Sequence, residues 1–174
     1  EEGLMERFGI DEVYGMHNWP GHEVGSFAIR SGPFFAAADE FVITIDGKGG
    51  HAAKPHETVD STVVASHVVV ALQTIASRNV DPTEQVVVSV TSFETSSKAH
   101  NVIPQSVTLK GTARTLDAAI RDQAQERITA IANGIAESFG ATATVEYPWL
   151  SSDGEPRARN RICHRSRNQN RGQM

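Results

Sequence analysis

The chain has 174 residues, of which 39% are hydrophobic and 21% charged, a balance that suits one domain of ordinary size and excludes wholesale disorder. A single cysteine, Cys163, excludes an internal disulfide framework and a cysteine-built zinc site, and no apolar run approaches the roughly 20 residues of a membrane helix. The net charge of −5 divides unevenly: residues 151–174 hold six arginines against Asp153 and Glu155, a sum of +4, which leaves −9 (−5 − 4) on residues 1–150.

Along the chain, Leu4–Phe8 (LMERF) reads as a helix end stopped by Gly9. Glu12–His17 (EVYGMH) is a short apolar strand candidate that breaks at the turn signal Asn18-Trp19-Pro20-Gly21, and Gly25–Ala38 reads as a connecting strand and loop. Phe41, Ile43 and Ile45 alternate on one face of a strand, which runs into Gly47-Lys48-Gly49-Gly50, too glycine-rich for either regular element. Asp60 or Ser61 caps a helix that runs through Val63, Val64, His67, Val68, Ala71, Leu72 and Ile75 at spacings of three and four; Asn79 and Asp81-Pro82 end it. His67 lies on that stripe and is expected to be packed and hydrogen-bonded. Gln85–Phe93 and Val107–Ala113 are strands by composition and period. Asp117 caps a helix through Ile120, Ala124, Ile128, Ile131, Ile135 and Phe139, stopped by Gly140, and Ala141–Tyr147 closes the series as a strand. The order β-α-β-β-α-β predicts an α+β fold over residues 39–148: a ferredoxin-like split βαβ arrangement with an antiparallel sheet and two helices.

Four spots carry candidate chemistry. His17, in GMHNWPG, stands at the end of the first strand candidate, where a neutral imidazole could ligate a metal; a loop histidine bonded to its surroundings is the alternative. His51 follows the glycines of GKGGHAAKPH, whose spacing is not that of a phosphate-binding loop, so a mobile functional histidine competes with a plain strand-to-helix turn. Asn101, in AHNVIP, offers an amide for a carbonyl or carboxylate, against ordinary turn chemistry. Arg114, in GTART, is a natural bidentate grip for a carboxylate, against a surface ion pair. His22 and His56 suggest no function.

Taken in order, GMHNWPG, GKGGHAAKPHETVDS, LQTIASR, HNVIPQ and LKGTART resemble the M20 family of metallo-amidohydrolases and peptidases, in the branch of hippurate hydrolases, N-acyl-amino-acid amidohydrolases and auxin-conjugate hydrolases. The resemblance covers residues 1–149. It implies a two-metal catalytic domain interrupted by a smaller lid that also forms the dimer. Residues 1–37 would then end the first segment of an α/β catalytic domain, residues 38–149 would be the lid, and residues 150–174 a basic, disordered tail. By position, His17 matches a metal-ligand histidine and His51 the lid histidine that reaches into the partner's active site to stabilise the oxyanion. Asn101 and Arg114 match lid residues that grip the substrate's carbonyl and carboxylate.

The implied activity is metal-dependent hydrolysis of the amide bond of N-acyl amino acids such as hippurate-like substrates, by a cytoplasmic homodimer without nucleic-acid or membrane partners. Two divalent metal ions (zinc, manganese, cobalt or nickel) would serve each full-length subunit. The chain itself is expected to bind none and to be inactive, because the family's other ligands and paired catalytic glutamates would lie outside it. Glu1-Glu2 is not that pair, since only fifteen positions (17 − 2) separate Glu2 from His17 and Glu1-Glu2-Gly3-Leu4 matches the family's later acidic helix end before the RFG turn. The absence of an initiator Met and of a signal peptide fits an interior slice, and the arginine-rich end reads as a truncation or frame-shift product rather than a nucleic-acid arm. The competing reading is a non-catalytic ferredoxin-like association or small-molecule-binding module.

Overall fold

The computed structural model describes residues 3–148. A one-turn helix, α1 (Leu4–Phe8), closes on Gly9 in the left-handed region at φ 58°. Residues 10–36 then contain no helix or strand. The strand expected over Glu12–His17 does not form, because a strand needs a neighbour for its backbone N–H and C=O groups and none of the described strands lies beside it. Val13, Tyr14 and Met16 are exposed there. The strand expected within Gly25–Ala38 likewise begins only at Ala37.

The regular part is β1 (Ala37–Asp46), β2 (Gly50–His51), α2 (Ser61–Leu72), β3 (Val86–Thr95), β4 (Val102–Ile103), β5 (Ser106–Thr115), α3 (Ala118–Ser138) and β6 (Thr142–Glu146). The main sheet has the order β3-β5-β1-β6, antiparallel throughout. Each helix crosses over one intervening strand, which is the ferredoxin-like split βαβ topology expected from the sequence. Asp60 caps α2 by accepting from the Thr62 and Val63 amides, and Asp117 caps α3 by accepting from Ala119 and Ile120.

Both helices cover one face of the sheet. Phe41, Ile43 and Ile45 of β1 and Val107, Leu109 and Ala113 of β5 point into it and meet Val64, Val68 and Leu72 of α2, Ile75 just after it, and Ile128, Ala132 and Ala136 of α3. Each fully buried Ile, Leu or Phe contributes about 1.5–3 kcal/mol of transfer free energy. Gly111 faces Phe41 across the β1–β5 ladder, and a Cβ there would stand 2.1 Å from the Phe41 ring, so the ring occupies the place of the missing side chain.

Three local features differ from the sequence reading. The glycine-rich stretch after β1 is partly ordered into sheet: Gly50-His51 pairs antiparallel with Val102-Ile103. After α2 the chain makes a wide turn, Ile75–Asn79, in which the Val80 amide donates to the Ile75 carbonyl at 3.1 Å. Asn79 is held from α3 by Gln123 Nε2, donating to its carbonyl at 2.9 Å, and by Arg127 Nε, donating to its Oδ1 at 3.2 Å. His67 is not packed in the core: it lies on the solvent face of α2, its ring stacked on Phe139 at 5.0 Å between centroids.

Candidate functional site

Two ends of the sheet carry the polar residues singled out by sequence. At one end, β1 finishes at Asp46 opposite Ser106, the first residue of β5. The segment after β1 and the segment before β5 are joined there by the β2–β4 pair, and the Ala52 amide donates to the Asn101 carbonyl at 2.9 Å. The pairing brings His51 and Asn101, fifty residues apart by number, onto one small platform (101 − 51).

The platform depends on close backbone approach. A Cβ on Gly49 would lie 2.8 Å from the Ile103 carbonyl oxygen and 2.9 Å from the Gln105 nitrogen, a space that only glycine fits. Lys48 and Val59 exchange backbone hydrogen bonds at 2.9 and 3.0 Å, which closes the other side of the loop. Beneath it, the buried Ser61 hydroxyl at the start of α2 donates to the Pro104 carbonyl at 2.8 Å.

His51 is exposed, and its Nδ1 accepts from the Ala53 amide at 3.1 Å. A neutral imidazole that accepts at Nδ1 carries its proton on Nε2, so the outward nitrogen of His51 is a donor. Neither Nε2 nor the Asn101 side-chain amide makes a hydrogen bond within the described residues. The end of the sheet therefore presents uncommitted donors to solvent.

Arg114 lies at the other end. Ser106 begins β5 and Arg114 is its last residue but one, so the two are about 26 Å apart at the rise of a strand. One guanidinium nitrogen, Nη1, donates to the Ala113 carbonyl at 2.9 Å, to the Asp39 carbonyl at 3.4 Å and to the Thr112 hydroxyl. Nε and Nη2 make no hydrogen bond within the described residues, which leaves one edge of the half-buried group for an anion. The family resemblance implies that Asn101 and Arg114 grip the substrate's carbonyl and carboxylate; within one copy Asn101 lies beside His51 and Arg114 near the opposite end of β5.

Behind Arg114, on the helix face, Asp39 is fully buried and ion-paired with Arg121. The carboxylate raises the Arg121 guanidinium above its ordinary value. Tyr147 lies parallel to Phe41 at 6.4 Å, and its buried hydroxyl has no hydrogen-bond partner among the described residues. Burial, reinforced by the negative charge of Asp39, pushes that phenol well above the ordinary tyrosine range.

His17 lies in the segment before β1 that holds no helix or strand, exposed, with its ring 5.6 Å from Phe35 and 6.1 Å from Trp19 between centroids. Its Nδ1 is 2.5 Å from the Asn18 carbonyl oxygen. Donation from Nδ1 to that carbonyl would leave the Nε2 lone pair outward, the tautomer that metal-bound histidines adopt. Yet the described residues contain no group of three or more His, Cys, Asp or Glu side chains able to hold a metal ion. Among the described residues the donor set does not make a metal site by itself. No helix among the described residues is long and apolar enough to cross a membrane. Residues 149–174, including the arginine-rich end, and Glu1-Glu2 lie outside the described residues.

Comparison with known proteins gives this arrangement its context. The peptidase dimerisation domain family matches residues 37–139. The chain is 42% identical over 147 residues to N-acetyl-L-cysteine deacetylase of Bacillus subtilis, covering 84% of this chain and 35% of that protein. It is 42% identical over 163 residues to N-acyl-L-amino acid amidohydrolase of Geobacillus stearothermophilus, covering 90% of this chain and 43% of that protein. Among solved structures, a dinuclear metal-binding peptidase of the M20 family from Bacillus subtilis superposes with a TM-score of 0.60 at 29% identity, over 83% of this chain and 35% of that one. The chain thus spans less than half the length of these relatives. The match of sequence and topology over β1 to α3 shows that the chain belongs to the M20 peptidase family and carries its dimerisation domain.

Proposed function

We propose that this chain supplies the lid, residues 38–149, and the preceding catalytic-domain stub, residues 1–37, of a metal-dependent amidohydrolase that cleaves the amide bond of N-acyl amino acids, hippurate-like substrates included. The observation that carries the reading is the β2–β4 pairing, which sets His51 opposite Val102, next to Asn101, and offers the free donors of His51 and Asn101 at one end of the sheet. Charge develops on the carbonyl oxygen during acyl transfer, and donors already oriented toward it are the largest single catalytic contribution. His51 Nε2–H and the Asn101 amide fit that role without any change of protonation.

Arg114 fits the substrate carboxylate. Its distance from His51 means that one small substrate does not touch both in one copy. We therefore assign His51 and Asn101 to the active site of a second copy and Arg114 to that of its own chain. A homodimer follows, and the relatives' dimerisation domain supports it. Exposed Val63 and Val70 on α2 and Val87 and Phe93 on the edge strand β3 offer apolar surface for that contact. His17 would be one metal ligand among others contributed by the rest of the enzyme, and the chain on its own would be inactive. The reducing cytoplasm suits a chain with a single cysteine.

The test is hydrolysis of N-acetyl and N-benzoyl amino acids by the full-length enzyme that contains these residues. His51→Ala is expected to lower kcat by about 10²–10³. A mixed dimer of His51→Ala and Arg114→Ala subunits should keep roughly half of the wild-type sites' potential in one intact composite site. Full activity of His51→Ala alone would refute the assignment, and an enzyme inert toward every N-acyl amino acid would favour an association module.

A further inference from the structure

We propose that Gln105 is a positioning residue for His51, an inference that rests on the assignment of His51 above. Gln105 sits on the turn between β4 and β5 and is exposed. Its side-chain Nε2 donates to the Gly47 carbonyl at 2.5 Å, and its Oε1 accepts from the Gly49 amide at 3.0 Å. Its own carbonyl accepts from the Gly47 amide at 2.9 Å. One residue thus makes three hydrogen bonds to the glycine segment immediately before His51.

The chemistry asks for glutamine. Gly47 offers an acceptor and Gly49 a donor, so the bracing group must donate and accept in one plane, as a carboxamide does. A carboxylate could satisfy only the Gly49 amide, and asparagine is one methylene shorter. The brace also has a fixed base, because Pro104, next to Gln105, is buried and held by the Ser61 hydroxyl at 2.8 Å. From there the order passes along the chain: the β2–β4 pair follows Gly49, and the turn after it closes with the Lys54 amide on the His51 carbonyl at 2.8 Å and the Ala53 amide on His51 Nδ1. Glycines give this segment the freedom to approach its neighbours closely, and Gln105 removes the surplus freedom that would let the imidazole wander.

The experiment has two parts. Amide hydrogen exchange on the 174-residue chain reads the Ala52 and Ala53 amides, neither of which bonds Gln105. In Gln105→Ala these should exchange about tenfold faster, as expected for the loss of two hydrogen bonds, while Ile43 and Leu109 in the core are unchanged. Nitrogen-detected spectra of the His51 ring should show the Nε2–H form in the wild type and a mixture of tautomers in the variant. In the full-length enzyme, Gln105→Ala should lower kcat about tenfold at constant KM, with Gln105→Glu in between because it keeps the Gly49 bond. Unchanged exchange at Ala52 and Ala53 would overturn the proposal. So would unchanged kcat in Gln105→Ala alongside a large loss in His51→Ala. If exchange rises and neither variant alters kcat, the brace stands and the catalytic assignment of His51 falls.

Discussion

Arg121 grips Asp39 through two nitrogens, Nε donating to Oδ2 at 2.7 Å and Nη2 to Oδ1, and the carboxylate is fully buried. The pair ties the strand by which the chain enters the sheet, β1, to the first turns of α3. A buried pair of this kind gives little net stability over a well-packed apolar pair, because desolvation offsets its attraction, but removing one partner strands the other charge. Arg121→Met should therefore cost about 3–5 kcal/mol in urea unfolding of the chain. The double variant Asp39→Leu/Arg121→Met should recover most of that loss. If the double variant is less stable than either single one, the pair has a structural role beyond charge compensation.

Tyr147 gives the fold an alkaline limit. Its phenol is raised in the folded chain, first by burial and then by the Asp39 charge. In the unfolded chain it titrates near the ordinary value of about 10. Below that pH both states hold the proton and pH has no effect through this group. Above it the unfolded chain releases the proton while the folded chain keeps it, so the folded state binds more protons and stability falls as pH rises. Unfolding midpoints between pH 8 and pH 11 should decline more steeply for the wild type than for Tyr147→Phe. Parallel declines would place the phenol in contact with solvent.

The strands and helices of residues 37–146 were legible because their signals are local and long. Asp60 and Asp117 mark helix starts, and Phe41–Ile45 and Val107–Ala113 alternate with a period of two inside the longer strands β1 and β5. The β2–β4 pair was not legible, since a two-residue strand has no period and its partner lies some fifty residues away. The stripe on α2 misled for His67: with Val63, Val64, Val68, Val69 and Val70 all in one helix, apolar residues surround it and periodicity cannot orient it. At Glu12–His17 the opposite holds, where an apolar local pattern meets no neighbouring strand within the described residues. The four candidate residues were singled out from their motifs, whereas which of them lie together is a tertiary fact. Gln105 carried no signal of its own beyond following the HNVIP motif.

Gly49 tests the platform independently of catalysis. Its Cβ would press on backbone atoms of Ile103 and Gln105, which cannot swing aside as a side chain could. Gly49→Ala should cost about 1–3 kcal/mol, the usual penalty for overpacking. The loss should concentrate in the amides of residues 50–53 and leave the core of β1 and β5 protected. Wild-type exchange rates throughout 50–53 would show that β2 and β4 do not need this contact.

Arg114 allows the proposed grip on a substrate carboxylate to be tested apart from the amide. With one edge of its guanidinium uncommitted, it can meet a carboxylate through two parallel N–H donors, a geometry that an ammonium group cannot reproduce. In the full-length enzyme, Arg114→Lys should raise KM for N-benzoylglycine about 10–100-fold, as hydrogen bonds to a charged group would predict. The same substitution should leave KM for the uncharged amide of N-benzoylglycine nearly unchanged, because that molecule has no carboxylate to lose. The kcat values should move little for either, since the grip is made alike in the ground and transition states. An equal rise in KM for both compounds would mean that Arg114 shapes the site through the Asp39 and Thr112 oxygens it touches, and not through the substrate's charge.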